Sequence, residues 1–134
     1  MTDPALVLVV DDYTDNRELV VEVLEHAGFR TAQAENGREA LAQAFELHPD
    51  LILLDLALPL VDGWEVARQL REDPSTRTLK IVALTAHAQE TFLERARAAG
   101  CDDVITKPVA IEALIPKIQA LLASERSPTP PRIA

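Results

Sequence analysis

The chain has a single cysteine, Cys101, so no disulfide can close within it. That fits a reducing compartment and excludes a zinc site built on cysteines. The three histidines, His26, His48 and His87, are scattered and offer no zinc spacing. Positive charge is also scarce. Against 22 Asp and Glu there are 13 Lys and Arg, giving a net charge of -9 and a pI near 4.7. An acidic surface repels phosphate backbones, and no basic run interrupts it, so direct nucleic-acid binding is not expected. Long apolar runs are missing too. The longest are strand-sized, far below the roughly 20 residues needed to span a bilayer. The opening MTDPALVLVV lacks the basic segment of a secretory signal. The expectation is a cytoplasmic protein that makes no use of a membrane.

What the chain does have is alternation. Its 134 residues suit one domain, and a 48% hydrophobic content is enough for a real core. ALVLVV (5–10) reads as a strand buried on both faces. A helix is expected from Thr14 or Asp15 to Ala27, with Leu19, Val20, Val23, Leu24 and Ala27 on its apolar side. Either Thr14 or Asp15 serves as its cap, and Asp15 with Glu18 makes a capping box. Gly28 ends it. FRTAQA (29–34) is a weaker strand, and GREALAQAFEL (37–47) a helix stopped by Pro49. LILL (51–54) is a third strand, followed by a helix from about Asp62 to Glu72. KIVALT (80–85) is a fourth strand, Gln89 to Ala99 a helix ended by Gly100, and DVIT (103–106) a fifth strand. IEALIPKIQALLA (111–123) is the last helix, with Ile111, Leu114, Ile115, Ile118, Leu121 and Leu122 on one side. SERSPTPPRIA (124–134) has no core-forming pattern and reads as a short flexible tail.

Five βα units with continuous apolar strands predict a parallel sheet covered by helices on both faces. In such sheets ligands bind beyond the carboxyl ends of the strands. The residues found there are Asp11 and Asp12, Asp55, Thr85 and Lys107. Asp55 thus ends an apolar run rather than interrupting it, which spares the strand an unpaired buried charge. Three neighbouring carboxylates repel one another and call for a cation. Mg²⁺ suits them, because it takes a few oxygen ligands and keeps several waters. Asp12 and Asp55 are the natural direct ligands, Asp11 acts directly or through water, and the Ala57 carbonyl is a further candidate. A metal, a lysine and a carboxylate together suit phosphoryl transfer to an aspartyl nucleophile. Asp55 is best placed to be that nucleophile. Lys107 and the Thr85 hydroxyl would each hold a phosphoryl oxygen, and a cis Lys107–Pro108 bond would aim the lysine over the site.

VVDD (9–12), LILLDLALP (51–59), VDGWEVARQLR (61–71), IVALTA (81–86) and ITKP (105–108) together resemble the receiver domain of bacterial two-component response regulators. The resemblance covers about residues 5 to 123. It implies a flavodoxin-like doubly wound fold with strand order 2-1-3-4-5. It implies Asp55 as phospho-acceptor, Asp11, Asp12, Asp55 and the Ala57 carbonyl as the Mg²⁺ site, Thr85 as the switch hydroxyl and Lys107 as the family's lysine. It also implies phosphorylation by a histidine kinase or a phosphotransfer protein. Three positions depart from the pattern. Leu58 replaces a frequent methionine. Val104 stands where many receivers carry the switch aromatic, so the coupled threonine–aromatic movement has no ring to move. Pro116 lies inside the last helix, which either kinks there or begins nearer to it.

With only the tail after residue 123 and no effector domain, the expected protein is a stand-alone receiver. It would signal to a downstream protein through phosphorylation-dependent contact at the helix 4, strand 5 and helix 5 face, which could also support a homodimer. It would be no enzyme beyond catalysing its own phosphorylation and dephosphorylation. The rival reading is a phosphatase-type hydrolase with an aspartyl nucleophile. That chemistry usually wants a second acid two residues after the nucleophile, where this chain has Ala57. A receiver-like module that is never phosphorylated is the third reading. Trp64 is expected to pack rather than to meet a partner, and Cys101 to be a small buried residue. His26 and His48 are expected near helix ends. His87 either touches the phosphoryl group or is a plain loop residue.

Overall fold

Three apolar runs make the centre of the sheet, and their side chains divide strictly by parity. A computed structural model describes residues 4–58, 60–86, 89–107 and 111–123. Along the chain it forms β1 (Leu6–Val10), α1 (Thr14–His26), β2 (Arg30–Ala34), α2 (Gly37–Leu47), β3 (Leu51–Asp55), α3 (Gly63–Glu72), β4 (Lys80–Thr85), α4 (Glu90–Ala98), β5 (Asp103–Thr106) and α5 (Ile111–Ala123). The strands are parallel in the order β2-β1-β3-β4-β5, as expected. Every residue of β3 and β4 is buried, whereas the edge strands β2 and β5 are mostly half-buried or exposed.

Leu8, Val10, Ile52, Leu54, Ile81 and Ala83 face one way, onto Ala40 and Ala44 of α2, Val66, Ala67 and Leu70 of α3, and Ala96 of α4. Val7, Val9, Leu51, Leu53, Val82 and Leu84 face the other way, onto Val20, Val21 and Leu24 of α1 and Leu114 and Ile118 of α5. Successive strand residues point to opposite faces, so a sheet covered on both sides must be apolar at every position. Cys101 is buried in the first cluster, and burial pushes its thiol up to about 11. Trp64 also packs against that cluster, its ring edge-on to Phe92 at 5.1 Å and beneath the Arg95 guanidinium.

α1 differs from the sequence reading in its buried face and in its cap. α1 buries Arg17, Val20, Val21 and Leu24, one clean stripe at i, i+3, i+4 and i+7, and leaves Leu19 half exposed. The expected face was turned by about one residue because a charged Arg17 was not counted as an inward position. Neither Thr14 nor Asp15 caps α1. Tyr13 is its N-cap residue and offers no side-chain bond, so the Asp15–Glu18 capping box does not form. α2 has a side-chain cap. Asn36 Oδ1 accepts from the Glu39 amide, and Glu39 Oε1 accepts from the Glu35 amide. α5 runs through Pro116 from Ile111 rather than starting near it. The ring removes the bond that residue 116 would give to the carbonyl of Glu112. Gly28 ends α1 at φ 101, as read from the sequence. The 124–134 tail, the Lys107–Pro108 bond and His87 lie outside the described residues.

Candidate functional site

The carboxyl ends of β1, β3, β4 and β5 lie side by side at one edge of the sheet. By parity Asp11, Asp55 and Lys107 continue the series of Val9, Leu53 and Ile105, which faces α1 and α5. Thr85 and Val104 belong to the opposite series, with Ala83. Asp55 is the last residue of β3, paired with Leu84, and its carboxylate is held at both oxygens. Oδ1 accepts from the Ala57 amide at 2.9 Å, and Oδ2 from Lys107 Nζ at 2.8 Å. The second bond joins residues 52 apart in sequence. Asp55 is buried, while Lys107 keeps about a quarter of its side chain in solvent.

The acidic pair occupies the turn from β1 into α1. Asp11 is buried and Asp12 exposed. The Asp11 amide donates to the Ala34 carbonyl, and the Asp11 Oδ1 accepts from the Tyr13 amide at 2.9 Å. Burial raises the Asp11 pKa, and the charges of Asp55 and Asp12 add to the rise. The Tyr13 bond and Lys107 act against it. Asp11, Asp12 and Asp55 each present a carboxylate oxygen within 4.8 Å of the others. Among the described residues the structure thus brings the three acids and the lysine of the sequence reading together. Thr85 closes β4 nearby and is buried, and its carbonyl accepts from the Lys107 amide at 2.7 Å. Ala57 is exposed, and its methyl group supplies no acid for a leaving group.

Arg17 belongs to this site and was not among the predicted residues. It is buried, with Nη1 donating to the Asp11 carbonyl at 2.8 Å and Nε to Gln33 Oε1 at 2.9 Å. Nothing local marks it, since a charged residue in an amphipathic helix is ordinarily solvated. Its spacing to Val20, Val21 and Leu24 is the one signal available.

A parallel five-stranded sheet with two acids after β1, an acid closing β3 and a lysine after β5 defines a phospho-accepting signalling module. The response regulator receiver domain model matches residues 7–119, and the chain belongs to that family. Receiver domains are signalling proteins that work with histidine kinases or phosphotransfer proteins and with downstream targets. The polar-differentiation response regulator DivK of Brucella anthropi is 39% identical over 119 residues, covering 89% of this chain and 97% of that protein. A putative response regulator from Chloroflexus aurantiacus superposes with a TM-score of 0.86 at 33% identity, covering 90% of this chain and 99% of the other. The receiver domain of a sensor histidine kinase from Pseudomonas aeruginosa, solved with a magnesium ion coordinated in its active-site cleft, gives a TM-score of 0.83 at 30% identity. It covers 90% of this chain and 99% of the other. No helix among the described residues is long and apolar enough to cross a membrane.

Proposed function

We propose that Asp55 is the phospho-acceptor of this receiver and that Asp11, Asp12, Asp55 and the Ala57 carbonyl hold Mg²⁺. The observation that carries the reading is the Asp55–Lys107 ion pair set inside a triad of carboxylates. Three clustered acids, one of them open to solvent, suit a hard cation that keeps part of its water. When bound, the ion offsets the charge of the acids and of the phosphoryl oxygens.

In the transfer an Asp55 carboxylate oxygen attacks the phosphorus of a phosphohistidine. A P–O bond forms as the P–N bond breaks, and the imidazole leaves with the bonding pair and takes a proton. Lys107 pairs with the carboxylate before transfer and then has the phosphoryl oxygens as partners. Thr85 supplies a hydroxyl from the end of β4. The donor is a histidine kinase or phosphotransfer protein, and the output is a protein–protein contact made by the phosphorylated form. Separate output is supported by the DivK relative, which is matched over 97% of its own length and so is itself little more than a receiver. With Val104 in place of a ring, the change is read from the α4, β5 and α5 face without an aromatic swing, and that face also serves a homodimer in the cytoplasm.

Incubation with Mg²⁺ and acetyl phosphate should add the mass of one phosphoryl group to the intact protein and none to Asp55→Asn. An equal gain in Asp55→Asn, or none in the wild type, would sink the assignment. Light scattering should show a larger species with beryllofluoride than without it, and an unchanged monomer would remove the dimer.

A further inference from the structure

We propose that Arg17 is a positioning residue that clasps the turn carrying the acidic pair, so that the Mg²⁺ affinity of the site depends on its fork of hydrogen bonds rather than on its charge. This rests on the reading of Asp11 and Asp12 as part of the metal site.

The turn from β1 to α1 is three residues long, and Arg17 holds both of its ends. Its guanidinium Nη1 donates to the Asp11 carbonyl at 2.8 Å, and its own amide donates to the Tyr13 carbonyl at 3.0 Å. Asp12, the exposed acid, lies between the two fixed points. A turn entering a helix is ordinarily tied down by an N-cap side chain. Tyr13 provides none, so the Arg17 side chain is the tie that α1 contributes. The guanidinium is fixed from its other side. Nε donates to Gln33 Oε1 at 2.9 Å, and the Gln33 carbonyl accepts from Gln43 Nε2. A chain of bonds thus runs from α2 through β2 and α1 to the backbone of Asp11.

Burying a guanidinium costs more than burying an aliphatic side chain of the same length, so its presence in an inward stripe calls for a reason. Direct charge compensation of the acids is not that reason. The guanidinium bonds go to the Asp11 carbonyl and to Gln33 Oε1, and neither is a carboxylate. Groups that orient the ligands of a metal typically change its affinity by about 10–100-fold when removed.

The test is a calorimetric titration of the full chain with magnesium chloride alone, beside hydrogen exchange at the Tyr13 amide. Arg17→Met and Arg17→Lys should both weaken binding about tenfold and speed Tyr13 exchange. Gln33→Leu, on the exposed edge strand, should give several-fold weakening, and nothing further when added to Arg17→Met. Arg30→Met, which removes the same charge at the opposite end of the sheet where Arg30 meets the Pro4 carbonyl, should change neither. Full recovery in Arg17→Lys would make charge the cause and overturn the proposal. So would unchanged affinity and exchange in Arg17→Met. If Arg17→Met does not fold, Gln33→Leu decides by the same two readouts. If the wild type binds no magnesium, the metal reading of the site fails, and Tyr13 exchange alone decides whether Arg17 clasps the turn: faster exchange in Arg17→Met keeps the clasp, unchanged exchange removes it.

Discussion

Asp11 shows at the scale of one residue how a functional site opposes folding. Its carboxyl is buried beside two other acids, and its pKa stands above the ordinary 3.8 for that reason first. The folded protein therefore holds this proton more tightly than the unfolded chain does. Asp11's contribution to stability is complete below the unfolded pKa and is lost as pH rises through the folded one. Without metal, the wild type carries that loss at any pH above the folded value. Asp11→Asn keeps the size and polarity of the side chain and removes the charge. It should raise stability at pH 7, and the gain should shrink as the pH falls towards the ordinary carboxylate range. Denaturant melts from pH 4 to pH 8 check this, and a constant difference between the two proteins across that range would count against it. The reverse case lies on the surface. Asp73 accepts from the Ser75 amide and hydroxyl, and these bonds hold its carboxyl below the ordinary range.

At the scale of elements, the loop after Asp55 is held between two glycines. A Cβ on Gly37 would stand 1.8 Å from the Val61 carbonyl oxygen, and one on Gly63 would stand 2.6 Å from the Asp55 carbonyl oxygen and from the Leu56 Cα. The obstacles are backbone atoms, which a rotamer change cannot clear. The starts of α2 and α3 thus press directly on the segment that carries the candidate acceptor. Gly37→Ala and Gly63→Ala should each cost about 1–3 kcal/mol, the range for forced overpacking. Gly63→Ala should also slow phosphorylation from acetyl phosphate, because the loop must give way at Asp55 itself. Equilibrium unfolding and the rate of mass gain measure the two effects, and wild-type values in both would refute the close approach. At the other end of the sheet Arg71 of α3 donates to the carbonyls of Gly100, Arg77 and Leu79 and to Asp102 Oδ2, which also accepts from the Ile81 amide. That cluster lies at the amino ends of β4 and β5, away from the acids, and binds α3 to the strands it covers.

For the whole molecule, the two hydrophobic clusters share one sheet, since alternate residues of β1, β3 and β4 enter each. Neither can melt without exposing the other's strands. Unfolding should therefore be a single cooperative step. Trp64 is the sole tryptophan and packs against only the α2–α3–α4 cluster, whereas circular dichroism reports all ten elements. The two signals should give the same midpoint in urea, and separated midpoints would mean that one face of the sheet opens alone.

Sequence by itself determined the alternation of strands and helices, because a residue's share in a strand or a helix stripe follows from spacing along the chain. It also placed Asp11, Asp12, Asp55, Thr85 and Lys107 at one edge, since in a parallel sheet all carboxyl ends lie on the same side. The strand order came from the family's motifs, and the coordinates bear it out. Other facts waited for tertiary structure. One is which acid of the pair is buried. Another is that Arg17 turns inward, and a third is that Lys107 meets Asp55 across 52 residues. Two more are that Gly37 and Gly63 admit no side chain, and that the Asn36–Glu39 pair rather than Asp15–Glu18 forms a cap. Each of these depends on what a second segment brings into contact, and spacing along a single segment holds no record of that.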